Sequence, residues 1–355
     1  MPDCERASLE RGALTGSLPQ NSGVREPVGR PGWRGAQPGT GGASLPVKPA
    51  TGGASLPVKP ATGGAPSPAR PAAVAASPRP LAPRRPREGR VLRATLEYDG
   101  GRYRGFQSQV NARTVQGVLY SAATEVFGDS VRLFAAGRTD AGVHALGQVV
   151  SVHLDATLPR EAAKPLEALR RAWNDLLPFD VHVLSLVPAP ATFHARHDAD
   201  LRVYRYRISR RRTAFGKPYV WWVKDALDAE AMARAAALFV GRHDFASFCE
   251  NADGHDSTLV EVKEARVFTP ESVPDLIVFR ITASHFLWKM VRRLTGTLVE
   301  VGTGRLSEKD VKSFLETRSG APAAFTAPPS GLFLEGVTYA GDPPLRLVDP
   351  LRPAF

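Results

Sequence analysis

Cysteine is nearly absent from this 355-residue chain. Cys4 and Cys249 are too few for a disulfide scaffold or a cysteine-built zinc site, and they suit a reducing compartment such as the cytoplasm. Long apolar runs are missing too. No stretch approaches the roughly 20 residues a membrane span needs, so no integral membrane protein is expected. The eight histidines lack metal-ligand spacing of the His-Glu-x-x-His kind. His194 and His197 stand three apart, but no carboxylate or cysteine set accompanies them. There is no glycine-rich phosphate loop with its lysine, and Gly302-x-Gly304 is too short to count as one. Neither a metal nor a nucleotide cofactor is expected.

Acidic residues and aromatics are scarce in the first quarter. Residues 1–90 hold 13 Lys and Arg against 5 Asp and Glu, and Trp33 is their one aromatic residue. Residues 91–355 hold 33 against 30, so most of the net charge of +11 belongs to the first segment. A basic tail is therefore attached to a nearly balanced body. Glycine and proline make up 30 of those first 90 residues. The unit TGGASLPVKPA occupies 40–50 and 51–61 and begins again at Thr62. Such a stretch buries too little apolar surface to offset its ordering entropy, and proline removes backbone donors. A disordered linker is expected over 1–90, with a basic RNA-capturing arm as the functional alternative. The glycines and prolines argue against an amphipathic mitochondrial presequence.

From Val91 the patterning changes. Leu92, Ala94, Leu96 and Tyr98 alternate as on a half-buried strand, and Asp99-Gly100-Gly101 turns the chain. Thr114 can cap a helix that buries Val115, Val118, Leu119, Ala122 and Val126. Strands over Val131–Ala136 and Leu146–Leu154, a helix with Ala162, Leu166, Leu169 and Trp173, and a strand over Val181–Val187 complete the order β-α-β-β-α-β. After the linker Pro188–Ala191 the order repeats. Arg202–Ser209 reads as a strand, and Asp228 caps a helix with Met232, Ala236, Phe239 and Val240 inward. Val260–Phe268 and Leu276–Ala283 are strands, Phe286, Met290, Leu294 and Leu298 form a helical stripe, and Ser307-x-x-Asp310 opens a further helix. Leu332–Tyr339 closes the set. The expected fold is α+β: two ferredoxin-like halves, 91–195 and 196–345, forming one broad sheet with helices on one face and a catalytic cleft on the other. Residues 346–355 are a C-terminal tail.

Three stretches carry chemistry. Ala136-Gly137-Arg138-Thr139-Asp140-Ala141-Gly142-Val143-His144-Ala145 sets glycines on both sides of an Arg-x-Asp core between two strands. A tight glycine-flanked loop can present Asp140 into a cleft, while Arg138 pairs with it or reaches a phosphate. The plain alternative is a surface turn closed by an Asx-type bond. In Arg202-Val203-Tyr204-Arg205-Tyr206-Arg207 the two tyrosines share one strand face and Arg205 and Arg207 the other, an arrangement suited to base stacking and phosphate contact, or to core tyrosines and solvated arginines. In Phe286–Arg293, Arg292 can face a cleft while apolar neighbours pack, and a core helix with a basic edge competes with that reading.

Taken together these stretches resemble the tRNA pseudouridine synthase A (TruA) family. Ala136–Ala145 is similar to its signature loop. In the family's order follow Glu97-Tyr98-Asp99-Gly100 with Phe106-Gln107, Thr114-Val115-Gln116, Phe193-His194-Ala195-Arg196, Tyr204-Arg205-Tyr206, Asp244-Phe245-Ala246-Ser247-Phe248, Met290-Val291-Arg292 and Gly331-Leu332-Phe333-Leu334. The resemblance covers about residues 91–340. It implies isomerisation of uridine to pseudouridine on the 3′ side of the tRNA anticodon stem-loop (family positions 38–40), without cofactor or metal, by a cytoplasmic homodimer. It makes Asp140 the essential aspartate, as nucleophile or as base toward a sugar proton. Tyr204 would stack on the target base, Arg292 would pair with Asp140, Arg138 would fill the gap left by the flipped uridine, and Leu332 would line the apolar wall. Local clusters such as Arg205, Arg207, Arg210 and Arg211 with Arg212 would hold RNA. Phe106 stands where the family more often has Trp, and Ser257 precedes Thr258 where a basic residue is common. The tail over 1–90 has no counterpart in short family members. A pseudouridine synthase for other tRNA uridines, an RNA-binding module without catalysis and an N-glycosidase are the competing readings.

Overall fold

The computed structural model describes residues 90–155, 164–254, 257–343 and 345. The expectations of a disordered segment over 1–90 and a tail over 346–355 fall, apart from Arg90, outside these residues.

Strand β1, Arg90–Tyr98, buries Leu92, Ala94, Leu96 and Tyr98, as its alternation requires. The turn after it is a single 3₁₀ turn in which the Asp99 side chain accepts from Gly101 N. Thr114 caps α1, Val115–Phe127, by accepting from Gly117 N. β2, Arg132–Ala135, pairs antiparallel with β3, His144–Leu154, and the glycine-flanked loop joins them. α2 is Leu166–Leu176 and β4 is Val181–Ala189. Trp173 anchors α2: its indole donates to Leu119 O and its ring stands edge-on to Phe127, with centroids 5.4 Å apart.

The second run begins with β5, Ala199–Ser209, and a two-residue strand β6, Trp221–Trp222. Asp228 caps α3, Ala229–Ala237, by accepting from Glu230 N and Ala231 N. β7, Gly241–Asp244, β8, Leu259–Phe268, and β9, Leu276–Ala283, follow. α4 is Met290–Gly302, and α5, Glu308–Glu316, opens on a capping box between Ser307 and Asp310. β10, Leu332–Tyr339, ends the series.

All ten strands join one sheet, ordered β4-β1-β3-β10-β5-β9-β8-β7, with β2 on β3 and β6 on β5. β10 is the seam. It runs parallel to β3 at Phe333 and Leu334 and antiparallel to β5 along its length. The loop before β3 and the face of β5 are thereby brought side by side. α2 packs on β4, and α3 packs on β8 and α4.

Two local expectations are corrected, and two short strands are added. The stripe starting at Phe286 is not all helix. Lys289 takes a left-handed backbone (φ 60°), so α4 starts at Met290, and Phe286 packs edge-on against Tyr204 instead. Val240 is exposed, because α3 ends at Ala237 and the chain turns at Gly241 (φ 114°) into β7. β6 and β7 are short strands with no apolar period long enough to read from sequence.

Candidate active site

The loop between β2 and β3 is held on both flanks of Asp140. Ahead of it, Thr139 is buried. Its hydroxyl is 2.8 Å from Tyr98 Oη, and its carbonyl accepts from Phe106 N at 3.0 Å. Behind it, Val143 N donates to Asp140 O, and Gly142 turns with φ 77°, where a side chain is strained and a Cβ would stand 2.9 Å from Pro329 Cγ. Gly100 packs directly beneath: a Cβ there would fall 1.9 Å from Val143 O. His144, first residue of β3, places Nδ1 3.0 Å from Asp99 Oδ1, and Tyr219 Oη donates to Asp99 Oδ2 at 2.9 Å. The hydrogen bond from His144 holds the Asp99 carboxyl well below the usual carboxylate range. A side chain four residues upstream of this joint therefore has little freedom.

Asp140 reaches into a cleft of about 1040 Å³. Its carboxylate is 23% exposed, and Arg292 Nη1 approaches Oδ2 at 3.3 Å. Arg292 is itself oriented by donating from Nε to Ala327 O at 2.7 Å, so its guanidinium is fixed before any ligand arrives. Tyr204, only 8% exposed, and Leu332 line the same cleft. Burial, reinforced by the Asp140 carboxylate, pushes the Tyr204 phenol far above the ordinary tyrosine value and keeps it neutral. Arg104, Arg138, Arg196, Arg202, Lys289 and Arg292 also line the space, and Asp140 is the one carboxylate that lines it among the described residues. Such a wall attracts a polyanion and sets the Asp140 carboxylate among cations.

The sequence-chosen residues separate into two sets. Asp140, Arg138, Tyr204, Arg292 and Leu332 share the cleft. Arg138 is exposed there, and Asp140 takes Arg292 as its ion-pair partner. Arg205, Arg207, Arg210 and Arg211 are not among the lining residues. Arg205 and Arg207 are 1% and 0% exposed. Arg205 Nε pairs with Glu335 Oε2 at 2.9 Å, and the Arg207 guanidinium lies over the Phe333 ring at 4.9 Å. The expectation that they sit solvated and meet phosphates is corrected. Strand alternation does turn them away from the tyrosines, but that face of β5 is covered by protein. Arg210 and Arg211 are exposed, and Arg211 pairs with Asp275 at 3.1 Å. Among the described residues no cluster of three or more His, Cys, Asp or Glu is placed to hold a metal ion.

Sequence reading passed over several cleft residues. Arg202 lies two positions before Tyr204, and the period of two that was applied to the tyrosines puts it on their face. Trp288, 51% exposed at the cleft, and Lys289, whose ammonium lies 5.3 Å from that indole, were hidden by the helical reading of 286–293.

A carboxylate clamped by an arginine, beside a neutral buried phenol in a cation-lined cleft, gives a polyanion a place to bind and a group capable of acid–base or nucleophilic chemistry. Comparison with known proteins makes the class specific. The family model described as tRNA pseudouridine synthase matches residues 94–198 and 235–340. The tRNA pseudouridine synthase A of Caulobacter sp. (strain K31) is 41% identical over 252 residues, covering 70% of this chain and 98% of that protein. That of Halalkalibacterium halodurans is 42% identical over 245 residues, 67% of this chain and 88% of that protein. That of Thermotoga maritima is 37% identical over 250 residues, 69% and 98% respectively. The chain belongs to the tRNA pseudouridine synthase family.

Proposed function

We propose that this protein isomerises uridine to pseudouridine in tRNA, in the anticodon stem-loop, with Asp140 as the catalytic carboxylate. The observation that carries the reading is the Asp140–Arg292 pair in a cleft shared with Tyr204. The N1–C1′ bond breaks and C5 joins C1′; the C5 proton leaves to water and N1 takes one up, so the net change is an isomerisation. Asp140 attacks, or removes a sugar proton; both routes need its oxygen held beside the sugar and the detached base kept from escaping. Arg292 fixes the carboxylate, and Tyr204 and Leu332 sandwich the extruded base, with the Tyr204 hydroxyl near the C5 proton. Arg138, exposed on the loop, fills the space the base leaves. The strand orders β4-β1-β3-β2 and β10-β5-β9-β8 support two ferredoxin-like halves. The same proposal takes the working form to be a homodimer in the cytoplasm.

The test is release of C5 tritium from uridine-labelled tRNA. Wild type releases tritium without free uracil. Asp140→Ala binds tRNA and releases none. Wild-type binding without tritium release identifies a binding module, and free uracil identifies an N-glycosidase.

A further inference from the structure

Arg202 has no role in the assignment above, yet it has the most connected guanidinium in the cleft. It sits near the start of β5, on the tyrosine face, and lines the cavity. Nη1 donates to Ala199 O at 3.0 Å and to Ser284 O at 2.6 Å. Nη2 donates to Ala136 O at 3.2 Å and to Arg196 O at 2.7 Å. None of these four acceptors is a carboxylate. The positive charge is therefore solvated by backbone dipoles and not neutralised, and burial lowers the pKa of the group while leaving it an arginine that stays protonated.

The origins of the four carbonyls give the bonds their meaning. Ala136 ends the β2 arm and is followed by the loop that carries Asp140. Ser284 follows β9 and opens the turn leading through Lys289 to Arg292. Arg196 and Ala199 bracket the entry to β5, which carries Tyr204. One planar fork thus joins the roots of the three segments that supply the carboxylate, its guanidinium partner and the stacking ring. Without a cation, four carbonyl oxygens converging on one point repel one another. A lysine is a point charge on a flexible stem and cannot hold two pairs of acceptors in one plane.

Building on the synthase reading, we propose that Arg202 is a positioning residue for the isomerisation, setting the distance between the Asp140 loop and the Arg292 segment. It acts through Ala136 and Ser284, and its effect is on the rate of the bound complex, not on capture of RNA.

The experiment compares full-length Arg202→Lys and Arg202→Ala with wild type in single-turnover tritium release at saturating tRNA, alongside tRNA Kd and Tm. Arg202→Lys is expected to lower the rate about 10- to 100-fold, the scale of a displacement of about 1 Å in a reacting group, with Kd unchanged. Millimolar guanidinium is expected to restore part of the Arg202→Ala rate, and ammonium is not. In an Arg292→Lys background, where the pair is already displaced, Arg202→Lys is expected to cost much less than in wild type. Weakened Kd with an intact rate would make Arg202 a phosphate contact and overturn the proposal. A lowered Tm with an intact rate, or the same fold-loss in both backgrounds, overturns it as well. Failure of wild type to release tritium overturns the synthase reading first; the Arg202 proposal fails alone only when wild type is active.

Discussion

Tyr98→Phe isolates the clamp ahead of Asp140, the carboxylate proposed above to be catalytic. Tyr98 and Thr139 are both buried, and their oxygens are 2.8 Å apart. Gln148 Nε2 donates to the same phenol oxygen at 3.4 Å. Burial pushes the Tyr98 phenol up to about 12, so it remains neutral across any assay range. Phenylalanine keeps the ring beside Phe106 and removes one oxygen. The lost bond and the stranded Thr139 hydroxyl together cost about 1–2 kcal/mol, which lowers Tm by about 2–8 °C for a body of this size. Because Thr139 adjoins Asp140, tritium release is expected to fall about ten-fold with tRNA Kd unchanged. A cycle with Thr139→Val isolates the bond, with a coupling of about 1 kcal/mol expected. Thermal melting and single-turnover kinetics on the four proteins measure both quantities. Additive stabilities, or a stability loss that leaves the rate untouched, would show that this bond does not hold the loop.

Two further outcomes concern charge within the fold. Glu335 is buried between Arg205 at 2.9 Å and Arg280 at 3.1 Å, so Glu335→Ala leaves two arginines facing each other and costs about 3–5 kcal/mol in chemical denaturation; a loss under 1 kcal/mol would mean that water reaches this face. Arg93 meets Asp342 through two bonds of 2.8 and 2.7 Å and holds its carboxyl below the ordinary range. The stability this adds is present above the unfolded carboxylate pKa of about 3.9 and disappears as pH falls through the lower folded value. Asp342→Asn is therefore destabilised by about 1 kcal/mol near pH 6 and matches wild type in strong acid. A difference that persists undiminished to pH 2 contradicts the pairing.

The sequence patterns that proved legible share a cause: each is local. Thr114, Asp228 and the Ser307–Asp310 pair act on backbone groups within three residues, so the helices they open stand where the caps put them. The alternation of β1 is a property of the strand alone. Asp140 stood out by its flanking glycines and the arginine two positions before it, and the family likeness pointed to Arg292 and Tyr204, which share its cleft. The illegible features depend on distant residues. Whether Arg205 is solvated is decided by Glu335, 130 positions away, and by what covers the strand. Lys289 breaks a sound helical stripe because Glu250 N takes the Trp288 carbonyl, a contact with no trace in the local pattern. The four acceptors of Arg202 are carbonyls, which every residue has, so no spacing could announce them.

Charge shows the same division between local and global. Residues 91–355 are nearly balanced, yet among the described residues six Arg and Lys side chains and one carboxylate line the cleft. Three of those cations are engaged: Arg292 by Asp140 and Ala327 O, Lys289 by Glu250, and Arg202 by its four carbonyls. Arg104, Arg138 and Arg196 are exposed, and none makes an ion pair among the described residues. These three are the groups free to release counterions from RNA. Each neutralised phosphate contributes about −0.7 to −0.9 to the slope of log K against log salt. Changing Arg104, Arg138 or Arg196 to Gln in the full chain is therefore expected to flatten the measured slope by about one unit each, while Arg205→Gln, buried against Glu335, leaves it unchanged. The reverse result, with Arg205 or the Arg210–Arg212 cluster setting the slope and the cleft arginines silent, would mean that RNA crosses the other face of the sheet and that the cleft is not where the backbone is held.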